Sequence, residues 1–533
     1  MNSITKMNPF LPEIIRQNLS SIAEEMTLIA MRSARSPALR EAGDLSSALT
    51  NADGEIIAQG KDLPIHLGVM SYTVKELIKA VGRDSMEDGD IWILNQPLIG
   101  GNHLPDVKLA KPIFIDGELI AFSLSLAHWA DIGGASPGSY FASAEDIWQE
   151  GLQIPPIRLY SKNKVRPDIL AFIKANVRGE MEREGDIMAQ VASLMIAEKR
   201  IVELVEMHGA GNFKEVLAKL FDFSEQQMRK VISSIPDGTY FGEDFLDDDC
   251  RDGPPVPIRV RIVVAGDEID FDFSESAPQL RAPLNTTHFV TVAGVAFFMK
   301  TIVATEVFHT GGAFRPISIH TRKGTVLNPG RNYPVVGGNH ETAHCVVNAI
   351  TQALADVIPK VVTAGGCATG GLLIFSGERS DGTWWTFYET HGGGEGARHD
   401  RDGGVVTRVN ISNMMNTLAE FVEAEYPLRV IKSAVRTGSG GRGHYNGGDG
   451  LVREYRVECD EAHLTTMFQR RIVTPFGLFG GENGEAFTVT LIRNDNLQTL
   501  KGAENVRLLK GDVVRIETAG GGGYGKAQTE DAA

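Results

Sequence analysis

Glycine constrains the fold of this chain more than any other residue type, because it makes up 58 of the 533 residues and is frequent beyond residue 360. In a helix interior glycine costs about 1 kcal/mol relative to alanine, since it loses more backbone entropy on folding. The short apolar runs between these glycines favour strands. We therefore predict a β-dominated C-terminal half, in which the glycine strings at 438–450 and 477–484 form tight turns.

The N-terminal half has a different pattern. Residues 11–32 carry apolar side chains at helical spacing behind Pro12, and similar periodicity extends from 180 to 233. Both segments predict amphipathic helices. Between them, residues 44–135 alternate short apolar runs with turn dipeptides, which is typical of strands and hairpins.

Two further segments complete the prediction of the fold. Residues 256–275 alternate apolar and polar side chains around a Gly-Asp turn, which predicts a hairpin, and Ala343–Val357 predicts a buried helix. The fold class is α+β: mixed, multi-domain and strand-rich, with flanking helices and a glycine-rich, β-dominated C-terminal half. We place a boundary near 235–255, where charge, glycine and proline concentrate. Residues 1–240 then form a metal-site region with the N-terminal helix, hairpins and helical segment, and 241–533 form a glycine-rich, mainly β region containing the buried helix.

Composition excludes several classes of function. Hydrophobic residues at 42% and charged residues at 23% are normal for a globular protein. The formal net charge of −16 argues against a nucleic-acid partner. The most apolar stretch, Phe289–Met299, is far shorter than the roughly 20 residues of a membrane-spanning helix. With no signal-peptide pattern and four widely spaced cysteines, we expect a cytoplasmic protein that has no membrane partner.

Two candidate metal ligands lie in the string GGNHLPD, residues 100–106. His103 and Asp106 are three residues apart, and Pro105 between them disfavours helix for the residue before it. The string therefore predicts a turn that brings an imidazole and a carboxylate to one side.

A predicted β-hairpin adds a third candidate ligand. If its two-residue turn is Asp116-Gly117, Asp106 lies opposite Ala127, and His128 returns to the end of the hairpin where His103 lies. Pro112 cannot donate a hydrogen bond to the ladder and marks an edge or a bulge that would shift the register by one residue. The three ligands converge in either register.

Two imidazoles and a carboxylate, with room for a fourth oxygen ligand, suit zinc, manganese or iron(II). A metal of this kind lowers the pKa of bound water and supplies hydroxide near neutral pH. The alternative is a loop whose histidines only cap turns.

Together with HWADIGG (128–134) and QEGLQIPP (149–156), the string GGNHLPD resembles the B-type subunit of hydantoinase/oxoprolinase proteins. That family includes ATP-dependent N-methylhydantoinases, the second half of 5-oxoprolinase, a caprolactam hydrolase, and subunits of acetone and acetophenone carboxylases. The likeness runs nearly end to end and in family order, through DLSSALTNADG, LPIHLG, ANVRGE, RAPLN, GSGGRGHYNGGDG, GLFGGENG and GGGGYG.

The resemblance assigns roles to particular residues. It implies four ligands to a divalent metal, on the positions that match the family's ligand motifs: Asp44, His103, Asp106 and His128. It also implies that Asp131 and His66 take part in catalysis by orienting ligands or water, with structural capping as the alternative.

Some strings depart from the family pattern. In NQPLIGGNH, Gln96 replaces a carboxylate and Leu98 an aromatic residue, and HETAH at 340–344 introduces His340 and His344. The two histidines do not form an HExxH pattern, so we interpret them as residues of a helix face rather than a second metal site. These departures leave the substrate undetermined.

The string GGGGYGKA at 520–527 falls short of a phosphate-binding loop, because Ala527 stands where a hydroxyl belongs and no helix is predicted after it. The resemblance implies that ATP with magnesium is used by an A-type subunit in a hetero-oligomer. That partner phosphorylates a small cyclic amide, and the present B-type chain hydrolyses the activated product. The alternatives are a subunit of an acetone or acetophenone carboxylase and a non-catalytic scaffold of an ATPase partner.

Overall fold

The computed structural model describes residues 9–303 and 310–527 and confirms the predicted α+β class. The helices in the described residues are α1 (Leu11–Ser33), α2 (Pro37–Arg40), α3 (Pro64–Val81), α4 (Pro167–Lys174), α5 (Glu180–His208), α6 (Ala210–Ile232), α7 (His288–Ile302), α8 (Thr342–Leu354) and α9 (Ala419–Glu425). No helix among these residues is long and apolar enough to cross a membrane.

The strands form four sheets. They are β1 (Leu45–Asn51), β2 (Ile56–Gln59), β3 (Ile91–Leu94), β4 (Asp106–Ile115), β5 (Glu118–His128), β6 (Ile157–Ser161), β7 (Lys164–Val165), β8 (Gly238–Leu246), β9 (Val256–Ala265), β10 (Glu268–Asp272), β11 (Ile317–His320), β12 (Leu372–Glu378), β13 (Trp384–Glu389), β14 (Leu428–Arg436), β15 (Gly450–Val457), β16 (Glu461–Met467), β17 (Thr488–Arg493), β18 (Asn496–Thr499), β19 (Ala503–Leu509) and β20 (Val513–Glu517).

The first seven strands form an antiparallel sheet in the order β2-β1-β5-β4-β3-β6-β7. One face packs against α1, α5 and α6, and the other against α3 and parts of the C-terminal half. Because both faces are covered, the central strands β4 and β5 are buried along almost their whole length. Their buried residues include polar ones, Lys108, Lys111, Ser123 and Ser125, beside the apolar majority.

The register of the hairpin β4–β5 differs by one residue from the simplest prediction. Pairing begins at the turn with Ile115 opposite Glu118, but a bulge after Ile113 shifts it, so that Asp106 lies opposite His128 rather than Ala127. The bulge follows Pro112, the residue that predicted it. Asp106 and His128 are therefore direct cross-strand neighbours.

Most of the predicted helices are confirmed. The first spans Leu11–Ser33 and buries its apolar stripe, and the segment 180–233 forms α5 and α6, which are separated at Gly209. The hairpin at 256–275 corresponds to β9 and β10, and the buried helix near 343–357 is α8. The proposed division into 1–240 and 241–533 stays a prediction.

The prediction was wrong for residues 64–81, which form α3 instead of strands. Pro64 lies in the first turn, where its fixed φ favours helix. Gly68 lets this helix approach α7 closely, since a Cβ there would lie 2.4 Å from Ala293. Helix α7, which was also missed, is buried around most of its circumference and so has no apolar stripe to detect.

The remaining three sheets belong to the C-terminal half. Strands β8–β11 form a four-stranded sheet packed against α7 and α8. A second sheet has the order β13-β12-β16-β19 and a third the order β14-β15-β20-β17-β18, and these two enclose a common apolar core. The prediction of a β-dominated half holds, apart from α7 and the short helix α9.

Each glycine string contains one tight turn, at 436–439 and at 478–481, and the prediction is wrong for the rest of both strings. Among the glycines of 438–450 and 477–484, only Gly438 and Gly480 have a positive φ. The others, apart from Gly450 at the start of β15, lie outside the regular strands in segments that hydrogen-bond to one another through their backbones. These glycines therefore serve close packing rather than unusual backbone dihedrals.

Two glycines show how closely these backbones approach. A Cβ on Gly448 would lie 1.9 Å from the carbonyl oxygen of Gly404, and one on Gly521 would lie 1.9 Å from that of Glu395. Gly448 N–H donates to Glu395 at 2.8 Å, and Gly521 N–H donates to Gly448 at 2.9 Å. The obstructing atoms belong to backbone, so a side chain at either position would require the segments to separate.

We expect Gly448→Ala and Gly521→Ala each to destabilise the protein by about 3 kcal/mol or more, because overpacking against rigid backbone forces the chain to move. Gly211→Ala is the matched control, since a Cβ there meets nothing within 4 Å and the residue lies in the first turn of α6. Denaturant unfolding measures all three. Unchanged midpoints for Gly448→Ala and Gly521→Ala would contradict this account of the glycine strings.

Candidate metal centre

The site lies at one end of the neighbouring strands β1, β5 and β4 of the seven-stranded sheet. Asp44 directly precedes β1, Asp106 begins β4, and His128 ends β5. The backbone N–H of His128 donates to the carbonyl oxygen of Asp44 at 3.0 Å, which ties the ends of β1 and β5 together. The ladder itself therefore positions three of the four predicted ligands.

The fourth predicted ligand, His103, lies in the turn before β4. Its Nε2 is 2.7 Å from Asp106 Oδ1, and His128 Nδ1 is 3.1 Å from the same oxygen. One ligand atom from each of the three residues fits within 4.8 Å of the others, and all three side chains are buried. Two imidazoles and a carboxylate at these separations can hold a metal ion.

A segment from the C-terminal half orients His103. The Nδ1 of His103 donates to the carbonyl oxygen of Val336 at 2.8 Å, so the Nε2 of His103 carries the lone pair and faces Asp106. The amide of Asn339 lies 3.3 Å from His103 Nε2 and 3.4 Å from Asp106 Oδ2. The carboxylate of Glu150 accepts hydrogen bonds from the backbone N–H groups of Val335 and Val336, at 2.9 and 2.8 Å.

Asp44 and His66 complete the polar group. His66, in the first turn of α3, places Nε2 3.7 Å from Asp44 Oδ1 and 3.5 Å from Asp106 Oδ2. Its Nδ1 lies 3.1 Å from the hydroxyl of Ser46. His66 therefore reaches the site, with its outer nitrogen oriented by a hydroxyl.

The electrostatics of the site fit a divalent cation. Burial and the charge of Asp106 raise the pKa of Asp44 well above its ordinary value, while burial lowers the pKa of His66 to about 4. Burial also raises the pKa of Asp106, but His103 and His66 outweigh it and leave that pKa well below its ordinary value. Asp44 Oδ1 and His128 Nε2 are buried without a partner. Close carboxylates, neutral imidazole and orphaned lone pairs are what a bound cation would satisfy.

Asp131 is held in a different arrangement. Its Oδ1 accepts hydrogen bonds from the backbone N–H groups of Gly133 and Arg178, and its Oδ2 accepts from Gly138 N–H and from the Arg178 guanidinium, at 2.8 to 3.1 Å. All of these contacts lie within the loop after β5 and the segment before α5. The geometry favours the structural alternative for Asp131.

A cavity of about 40 Å³ opens on the site, which is enough for a water molecule. Four of the predicted residues contribute to its lining: Asp44, His66, His103 and His128. A second wall of the cavity contains side chains that sequence reasoning either missed or placed on a helix face, among them Asn339, His340, His344 and Tyr388. In the sequence, only the departure from the family pattern at HETAH pointed to this second wall. The residues of the wall are remote in sequence from the ligand motifs.

The string GGGGYGKA does not form a phosphate-binding loop. Each backbone N–H from Gly520 to Gly525 donates to a carbonyl oxygen elsewhere in the chain. A phosphate loop requires free N–H groups at the start of a helix, and no helix follows in the described residues up to 527.

Comparison with known proteins identifies the family. The family model described as hydantoinase B/oxoprolinase matches residues 8–527. The chain belongs to this family. A protein of Methanocaldococcus jannaschii that carries no functional name is 35% identical over 98% of this chain and 92% of its own length. The 5-oxoprolinase 1 of Arabidopsis thaliana is 30% identical over 96% of this chain, which spans only 41% of that protein.

A solved structure shares the complete fold. The ATP-dependent caprolactamase from Pseudomonas jessenii superposes with a TM-score of 0.91 at 27% sequence identity, covering 98% of this chain and 92% of that chain. The resemblance of the sequence motifs to the family is thus confirmed, and so is the multi-domain α+β architecture.

We expect the purified chain to carry close to one divalent metal ion, and His103→Ala or Asp106→Ala to remove most of it. Even substitutions outside the ligand set typically weaken metal binding 10- to 100-fold, so loss of a ligand should cost more. Elemental analysis of the folded proteins gives the metal content. His463→Ala is the control, because its side chain is 48% exposed on β16. Equal metal in both ligand variants and the control would refute the assignment.

For Asp131 we expect a different result. Asp131→Ala should lower the free energy of unfolding by about 2 to 4 kcal/mol, because it leaves buried N–H donors without an acceptor. Asp131→Asn, which keeps one carbonyl acceptor, should lose less. Both variants should retain metal in the folded fraction. Loss of metal at unchanged stability would instead place Asp131 in the metal site.

Proposed function

We propose that this chain is the metal-dependent, hydrolytic B-type subunit of an ATP-dependent cyclic amidohydrolase. The observation that carries the proposal is the buried group of Asp44, His103, Asp106 and His128 at the sheet edge, in a chain of the hydantoinase B/oxoprolinase family. The relatives named 5-oxoprolinase and caprolactamase support a cyclic amide as the substrate class. A divalent metal held by this group would supply hydroxide near neutral pH.

The protein groups have distinct tasks in this proposal. The carbonyl oxygen of Val336 fixes the tautomer of His103, so that a lone pair on Nε2 faces the ligand set. The amide of Asn339 holds His103 and Asp106 in place. Burial of the whole group strengthens its electrostatic effect on a developing oxyanion, because little water remains to screen it.

A partner that uses ATP follows from the chemistry of the substrate. An unstrained cyclic amide is a poor electrophile, and the glycine string at 520–525 has no free N–H groups with which to bind a nucleotide phosphate. In the proposed complex an A-type subunit phosphorylates the amide oxygen with ATP and magnesium, and the B-type chain hydrolyses the activated amide. The caprolactamase from Pseudomonas jessenii is an ATP-dependent enzyme, which supports a role for ATP in the proposed reaction.

The test is reconstitution. The chain should be co-expressed with an A-type subunit encoded beside it, and the purified pair assayed for coupled phosphate release and ring opening on hydantoin, 5-oxoproline and caprolactam. We expect activity only from the pair and only with ATP, and we expect His128→Ala to abolish ring opening because it removes a ligand. Ring opening by the isolated chain without ATP would show the two-subunit mechanism to be wrong.

Two other outcomes would replace the proposal. Consumption of bicarbonate together with ATP and a ketone would assign the pair to the carboxylases. Full activity of the His128→Ala pair, with His463→Ala as the matched control, would make the chain a scaffold.

A further inference from the structure

The second wall of the cavity contains another histidine pair, at the start of α8. His340 lines the cavity with its side chain 13% exposed, and His344 lies one turn further along, buried. His340 Nε2 and His344 Nδ1 are both buried without a hydrogen-bond partner. Buried imidazole nitrogens normally find partners, so two orphans around one cavity need an explanation.

The protonation of His340 follows from its neighbours. Glu341 is fully buried, and its Oε1 lies 2.9 Å from His340 Nδ1. Thr369 Oγ1 accepts hydrogen bonds from the backbone N–H groups of Gln469 and Gly371, at 2.9 and 3.2 Å. Its own hydrogen is therefore free for Glu341 Oε2, which lies at 2.5 Å.

The second oxygen of Glu341 is an acceptor too. Gly370 N–H, which can only donate, is 3.1 Å from Oε1. With both oxygens accepting, the group has the geometry of a carboxylate, so His340 Nδ1 is the donor and Nε2 carries a lone pair. Burial raises the pKa of Glu341 well above its ordinary value, and the bonds from Thr369 and Gly370 offset only part of this rise, so the assignment of a carboxylate rests on the hydrogen-bond geometry.

Residue 370 has to be glycine for this arrangement. A Cβ on Gly370 would lie 2.6 Å from His340 Nδ1 and 3.2 Å from Glu341 Oε1. Any side chain would push the imidazole away from the carboxylate. Three separate parts of the chain, at 340–341, 369–370 and 469, thus converge to fix one tautomer of one histidine.

We propose that His340, oriented by Glu341, is the proton-transfer residue of the hydrolytic site. This rests on the proposed function. As water attacks the carbon of the phosphorylated amide, an O–C bond forms and one O–H bond breaks, and His340 Nε2 accepts the proton. The electrons of the C=N π bond move to the ring nitrogen, which takes the proton back from Nε2. His340 ends as it began, and the tetrahedral carbon carries a hydroxyl, the phosphate ester and the ring N–H. When the C–N bond breaks, the hydroxyl proton passes to the ring nitrogen, which leaves as an amine, and hydrolysis of the remaining acyl phosphate releases the carboxylate and phosphate.

The first test uses the reconstituted complex with its A-type partner. Positioned acids and bases contribute about 10²- to 10⁴-fold, so His340→Gln should lower kcat for ring opening at least 100-fold. It should change KM less than threefold and leave the metal content unchanged. His340→Ala should regain part of its rate with added imidazole, which a purely structural residue would not do. His463→Gln, on the exposed side of β16, is the control.

Glu341→Gln tests the orientation. A carboxamide cannot accept on both oxygen positions, so this variant should also lose activity, and combining it with His340→Gln should cost little more than either change alone. Additive losses would separate Glu341 from the proton transfer and overturn that part of the proposal.

The outcomes distinguish this proposal from the function on which it rests. An inactive wild-type complex contradicts the proposed function, whereas an active wild-type complex with an equally active His340→Gln variant contradicts only the role of His340. The tautomer is measured independently of turnover, from long-range ¹⁵N–¹H spectra of histidine-labelled chain, with His340→Gln assigning the signal. We expect a proton on Nδ1 and none on Nε2, and the reverse tautomer would overturn the proposal.

Discussion

The pairing of Asp106 with His128 across β4 and β5 is the contact on which the site depends. Side chains directly opposite each other in an antiparallel ladder point to the same face, so this register brings the carboxylate and the imidazole together without help from a flexible loop. A slip by one more residue would send one of them to the opposite face of the sheet. The bulge between Ile113 and Phe114, near the turn of the hairpin and far from the ligands, sets this register.

The predictable part of the molecule is local. Periodicity, turn chemistry and spacing within about 30 residues of sequence were enough to predict helix α1, the hairpins and three of the candidate ligands. Helix α3 was missed because turn-like residues precede it and its partner α7 lies more than 200 residues away. His66 was therefore assigned from the resemblance alone, and only the helix explains how it reaches the site.

The second wall of the cavity could not be predicted for the same reason. Nothing in the spacing of HETAH indicates that Glu341 meets Thr369 or that Gly370 borders the imidazole of His340, because these contacts are tertiary. Outside their two turns, the glycine strings were misinterpreted for a different reason. Glycine permits both positive φ and close backbone approach, and a sequence cannot separate the two uses. At Gly448 and Gly521 the second use applies.

The segment around Val336 joins the two halves of the chain at the site. The carbonyl oxygen of Val336 accepts a hydrogen bond from His103, and the backbone N–H groups of Val335 and Val336 donate to the buried carboxylate of Glu150. Backbone from the second half of the chain therefore holds side chains from the first half. A gene cut between the halves would separate the histidine and the carboxylate from the backbone groups that hold them. Neither half alone therefore contains a complete site, and the whole chain is the smallest unit that can carry it.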